Sequence, residues 1–143
     1  MRLVAVLLAL GILTSFAQTK HCTSQPVPES ALRALLQVLP DVATAKQAGG
    51  KISVMPWNPG SEYRIDVFFF YMVSTSSSGP PVLLDNGLIG YFGINKKTGE
   101  VYEFVTQEPV TAKALTNLQR QLRTKYCISD QAISNGRKIG LEK

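Results

Sequence analysis

Gly90-Tyr91-Phe92-Gly93-Ile94-Asn95-Lys96-Lys97-Thr98-Gly99-Glu100-Val101-Tyr102 is two β-rich runs joined by a polar turn. Aromatic and β-branched residues fill both arms, and Gly99 can take the positive φ with which the chain re-enters a strand. The segment predicts an antiparallel hairpin between Leu88–Ile94 and Glu100–Thr106. Asp85-Asn86-Gly87 precedes it as a turn or bulge, and Gly87, Gly90 and Gly93 suit a bulge or close packing rather than a nucleotide loop. Further upstream, Tyr63, Ile65, Val67, Phe69, Tyr71 and Val73 alternate with Arg64, Asp66, Phe68, Phe70 and Met72. The second half of that run is apolar on both faces, which predicts a central strand. Lys51–Met55 reads as a further short strand, Pro56-Trp57-Asn58-Pro59-Gly60 as a tight loop, and Ser74–Pro81 as a low-complexity loop.

Helical periodicity flanks the strands. Leu32, Leu35, Leu36 and Leu39 share one face after Pro28-Glu29-Ser30, and Pro40 should end or kink that helix because its ring clashes one turn back. Asp41–Ala48 continues as a short helical turn until Gly49-Gly50. After Pro109, Thr111 is placed to cap a helix with Leu115, Leu118, Leu122 and Tyr126 on one stripe, and Lys113, Arg120 and Arg123 project away from it. The expected fold class is α+β: an antiparallel sheet of four to five strands with two main helices packed on one face. The other face is left for solvent or a partner.

The chain ends carry separate signals. Arg2, the apolar run Leu3–Leu13 and the small Ser15 and Ala17 form a secretory signal peptide over residues 1–17, too short to span a bilayer. Residues 18–143 are then one exported α+β domain, periplasmic or extracellular, in which 130–143 form a loose C-terminal tail. No later apolar run approaches a membrane span, and Cys22 does not directly follow the small-residue box as a lipidated cysteine would; no stable membrane anchor is expected.

Only Cys22 and Cys127 are present. In an oxidising compartment an even count favours a disulfide, closing nearly the whole domain into one loop. Net charge is +5 and uneven: Lys113–Lys143 holds seven basic residues against two acidic ones. Export and the modest net charge argue against nucleic acid as the partner; a solvated helix face fits better, with an acidic protein partner or an anionic envelope surface next.

Catalytic signals are thin. The one histidine, His21, sits beside Cys22 near the expected mature terminus, and an adjacent Cys-His pair lacks the further ligands zinc takes. No phosphate-binding loop, dinucleotide fingerprint, His-Glu-x-x-His or calcium loop occurs, so no cofactor and no metal are expected. Carboxylate chemistry could use Asp66, Asp85, Glu100 or Glu103; Asp66, on a strand face with Phe68 and Phe70, is the one with a case, against which stands a structural pair with Arg64. Recognition features are stronger: Trp57 in a proline-bounded loop, as a lid over the core or an interface anchor, Tyr91, Phe92, Tyr102 and Phe104 on the hairpin, and Arg120 and Arg123 on the last helix.

The hairpin of Gly90–Tyr102 resembles the terminal hairpin of small bacterial envelope domains, where a strand ends in Asp or Asn, runs through Lys-Thr-Gly and returns as Glu-Val. It is similar to the NTF2-like, cystatin-like-roll immunity proteins that neutralise rival toxins, and to PepSY domains associated with peptidase inhibition. Agreement from Tyr63 to Val73 is looser. The resemblance implies a helix-packed curved sheet with a non-catalytic binding role, and brings no catalytic residues.

The sequence therefore points to an exported, non-catalytic domain that binds another protein, as an enzyme inhibitor or toxin-neutralising immunity protein. Its binding residues would be Trp57, Tyr91, Phe92, Tyr102, Arg120 and Arg123, with Cys22 and Cys127 as the disulfide. The alternatives are a small carboxylate-dependent hydrolase and a carrier of a small apolar ligand. The oligomeric state is left open.

Overall fold

The computed structural model describes residues 22–76 and 87–141. The expected signal peptide, His21 and most of the serine-rich loop lie outside the described residues. The chain is an α+β fold. Helices α1 (Glu29–Ala34) and α2 (Pro40–Gln47) flank a 3-10 turn at Leu35–Val38. Strands β1 (Lys51–Pro56), β2 (Phe68–Ser76), β3 (Leu88–Asn95) and β4 (Val101–Glu103) follow, then helices α3 (Lys113–Tyr126) and α4 (Asp130–Ile139). The strands form one antiparallel sheet in the order β1-β2-β3-β4, with β2 central as its two-sided apolar run predicts.

Pro40 divides the first helical stretch. A residue before proline is driven out of the helical region, and Leu39 is extended (φ −61°, ψ 145°), so Pro40 becomes the first residue of α2. The leucine stripe survives the break: Leu32, Leu35, Leu36, Leu39 and Val42 are buried with Val54, Tyr71, Val73, Phe92, Ile94 and Val101 of the sheet and Leu115 and Leu122 of α3. This is the main core, on one face of the sheet.

Several elements depart from the sequence pattern. The strand expected from Tyr63 begins at Phe68; residues 61–67 are turns closed by Val67 N–H and Phe68 N–H donating to the Arg64 carbonyl (2.9 and 3.0 Å). The alternation through 63–67 is therefore not a pleat. Thr111 does not cap α3; Ala112 is the N-cap, with no side-chain bond. Residues 130–139, expected as loose tail, form α4: the Ser129 hydroxyl accepts from Ala132 N–H (3.1 Å), Asp130 lies in the first turn and Arg137 and Lys138 in the last. Caps and charges matched to the helix dipole hold this element. Its apolar content is low because it buries little of itself, which is why hydropathy passes over it.

The disulfide joins Cys22 to Cys127, with Cα atoms 5.6 Å apart. It ties the leading segment to the junction of α3 and α4, where Gln25 N–H also donates to the Tyr126 carbonyl (3.1 Å).

Tyr71 is the largest side chain in the core that carries a polar group. Its hydroxyl donates to Glu29 Oε1 (2.6 Å), and the Arg33 guanidinium lies 5.7 Å from its ring centroid. Burial pushes the hydroxyl pKa well up, and the Glu29 bond and charge push it further, against a smaller opposing effect of Arg33. The fold therefore favours the protonated form. That contribution is intact below the ordinary value of 10.0 and is lost as pH rises above it toward the raised value. Tyr71→Phe should cost about 1.5 kcal/mol at neutral pH through the lost charge-assisted bond, and should flatten the alkaline fall in stability. Urea midpoints across the alkaline range check this, and parallel curves for the two proteins would contradict it.

Candidate functional site

The second face of the sheet is where the structure gathers aromatic surface. Strand pleating places Met55, Phe68, Phe70, Met72, Tyr91, Gly93 and Tyr102 there, opposite the helices. One half of this face is closed. Leu141, two residues beyond α4, packs with Phe68, Phe70 and Tyr102 in a small second core. Gly93 makes room for it, since a Cβ at that position would sit 2.8 Å from Leu141 Cδ2 and 3.1 Å from Phe70 Cε1. Burial pushes the Tyr102 hydroxyl pKa up, the Glu100 charge adds to this and Arg137 opposes it.

The other half is open. Register aligns Met55 with Met72 and Met72 with Tyr91, forming a row across three strands. Trp57 borders it, its ring 4.5 Å from Tyr91 and 4.6 Å edge-on from Phe104; Tyr63 lies 4.8 Å from Phe104. The ladder continues past β1 through Trp57 N–H to the Phe70 carbonyl (2.9 Å), which seats the loop on the sheet, while Asn58 Oδ1 accepts from Gly60 N–H (3.0 Å) inside it. Trp57, Met72, Tyr91 and Phe104 are half-buried, and Met55 is 44% exposed. Val105, 77% exposed, extends the patch from a turn in which Glu103 Oε2 accepts from Thr106 N–H (2.6 Å).

Both edges of the sheet are blunted. On β1, Pro56 has no N–H and the Arg33 guanidinium donates to the Val54 carbonyl. On β4, the returning segment covers the edge: Val110 N–H donates to the Val101 carbonyl (2.8 Å) and Glu103 N–H to the Glu108 carbonyl (2.9 Å). A partner meeting this sheet meets side chains rather than an open ladder.

A polar hub lies at the far end of the hairpin. Asn95 Oδ1 accepts from the N–H groups of Lys97 (2.9 Å) and Thr98 (3.2 Å), and Gly99 has φ +69°. Helix α3 then locks the turn: Gln119 Nε2 donates to the Gly99 carbonyl (2.9 Å) and Arg123 Nε to the Thr98 carbonyl (3.2 Å). Glu100, 5% exposed, accepts on Oε1 from Arg123 Nη2 (2.5 Å) and Arg137 Nε (3.2 Å).

The expected site residues thus separate. Trp57 and Tyr91 come together. Phe92 belongs to the helix-side core and Tyr102 to the second core, both buried, so neither contributes surface. Arg120 is exposed, whereas Arg123, expected to point away, turns into the hub because it follows Gln119 by one helical turn on the flank that faces the hairpin. Asp66 is not buried beside Phe68 and Phe70: it sits in the turn before β2, 75% exposed and 3.9 Å from Arg64. Met55, Met72 and the Glu100–Arg137 pair lay outside the sequence pattern; Met55 and Met72 become visible only once strand register is known.

Among the described residues, no group of three His, Cys, Asp or Glu is placed to hold a metal, and no helix is long and apolar enough to cross a membrane. No protein-family model matches the chain, the NTF2-like and PepSY ones included, and no curated protein matches it. Among solved structures it is similar to a type VI secretion system effector-immunity complex from Pseudomonas protegens, at 12% identity and a TM-score of 0.48, over 79% of this chain and 88% of that one.

Proposed function

We propose that this is an exported, non-catalytic domain that binds another protein through the open half of its second sheet face, as an enzyme inhibitor or toxin-neutralising protein. The observation that carries the reading is the row Met55–Met72–Tyr91 beside Trp57: partly exposed apolar surface on a sheet whose edges are blunted. Methionines adapt to irregular partner surfaces, and a rigidly seated tryptophan loses little entropy on contact. The N-terminal signal pattern and the disulfide, a bond suited to oxidising compartments, support export. The half of the face that a ligand carrier would hollow out is filled by Phe68, Phe70, Tyr102 and Leu141.

The reading is tested on a partner captured from envelope extract and identified by mass spectrometry. Trp57→Ala or Tyr91→Ala should speed dissociation about thirtyfold, the equivalent of roughly 2 kcal/mol for an interface anchor. Arg120→Ala should slow association at low salt and leave dissociation unchanged, as expected of a rim charge. Unchanged dissociation in both aromatic variants would overturn the assignment of this face.

A further inference from the structure

Helices α3 and α4 enclose an open depression of about 510 Å³ lined by Arg123, Asp130, Ile133, Ser134, Arg137 and Lys138. It lies over the polar hub, and none of its lining residues belongs to the Met55–Met72–Tyr91 row or the Trp57 loop. Ser134, Arg137 and Lys138 recur at helical spacing and so share one flank of α4. Glu100 beneath them accepts from Arg137 Nε (3.2 Å), and the Arg137 side chain is 64% exposed. A guanidinium held by one edge presents the other in fixed orientation, the geometry that a carboxylate engages with paired hydrogen bonds.

We infer that this depression receives an acidic segment of a protein partner, one carboxylate seated against Arg137 and Lys138 with Ser134 as an added donor. Charge complementarity selects this occupant: Arg123, Arg137 and Lys138 line the depression against Asp130 and the buried Glu100, within a segment, Lys113–Lys143, of seven basic residues and two acidic ones. Ile133 offers apolar surface to the methylenes of a Glu or Asp side chain, whereas Asp130 on the rim repels a dianionic phosphate more strongly than a carboxylate. An anionic lipid surface fits less well, because Ile139 is the one large apolar side chain that α4 exposes, too little for a helix lying in an interface. Glu100 acts as a positioning residue, orienting Arg137.

The inference stands apart from the aromatic face, and hexaglutamate, which has no aromatic group, probes it without that face. The folded full chain, disulfide intact, should bind hexaglutamate and not hexaglutamine, with NMR shifts centred on residues 130–138. Arg137→Gln with Lys138→Gln should weaken binding about tenfold, while Lys46→Gln with Lys113→Gln, removing equal charge from exposed positions elsewhere, should leave it within about twofold. Equal losses in the two pairs, no hexaglutamate binding, or binding of phosphatidylglycerol vesicles that the groove variants abolish in preference to the peptide would each overturn it.

Discussion

Reducing the Cys22–Cys127 bond should lower the unfolding free energy by about 3 to 4 kcal/mol. The bond spans a sequence separation of 105, enclosing every described strand and three of the four helices. Chain-entropy reasoning gives roughly 4.7 kcal/mol for a loop of that order, and residual structure in the unfolded chain trims it. The leading segment has little else to hold it: Cys22–Gln25 is exposed and without regular structure, attached through the Gln25–Tyr126 bond. Because the effect acts on the unfolded state, reduction should also raise the denaturant m-value, the freed chain exposing more surface. Urea unfolding of the native protein and of the Cys22→Ser, Cys127→Ser variant measures both quantities. Cys127 has φ +56° as the residue closing α3. Replacing Ser by Gly at position 127 in that variant should therefore return about 1 kcal/mol. A loss under about 1 kcal/mol with unchanged m-value would show that the bond decorates a fold already complete without it.

The turn of the hairpin and its first arm were legible in the sequence because their information is local, whereas the arm expected over Glu100–Thr106 is a strand only from Val101 to Glu103. Asn95 and Gly99 are turn residues whose own side chain and backbone freedom build the connection, and the flanking alternation assigns faces. The start of β2 was not, because Tyr63 and Val67 are apolar for another reason: both pack against the second core, brought there by a turn centred on Arg64 rather than by a pleat. Alternation of hydropathy is identical in the two cases; only the hydrogen bonds differ. Helix α4 illustrates the converse, an element with good caps and a weak apolar face.

The candidate surfaces divide in the same way. Trp57 stands out in the sequence by its residue type and its prolines, but its neighbours Met55, Met72 and Tyr91 are set by register across β1, β2 and β3, a non-local quantity. The hub escapes an apolar-stripe reading altogether. Leu115 and Leu122 mark the buried face of α3, yet Gln119 between them is buried too, and its polar end is spent on the hairpin turn. A Lys-Thr-Gly turn reads as solvent-exposed, and here Thr98, Gly99 and Glu100 are buried beneath two helices.

Glu100→Ala should destabilise the protein by about 3 kcal/mol, the largest effect expected of a single polar substitution here. The carboxylate is buried and receives two guanidinium groups on one oxygen; removing it leaves Arg123, whose side chain is 17% exposed, bonded to the Thr98 carbonyl at 3.2 Å. An uncompensated buried charge is costly, so Arg123→Ala, which strips Glu100 of its buried partner, should cost a similar amount. Arg137→Ala should cost about 1 kcal/mol or less, since that side chain is 64% exposed and water already screens the pair. Replacing the buried pair together, Glu100→Leu with Arg123→Met, should recover most of the loss, because apolar groups of similar size need no partner. The order of these four effects, read from urea midpoints, identifies the hub as a desolvated ion pair rather than a surface contact. Hydrogen exchange adds the local consequence: α4 is tied to the hairpin through Glu100, and its amides should exchange faster in Glu100→Ala before global unfolding contributes. Equal, salt-sensitive losses of under about 1 kcal/mol for all three single variants would mean the hub is held by the backbone turn alone and α4 by Leu141.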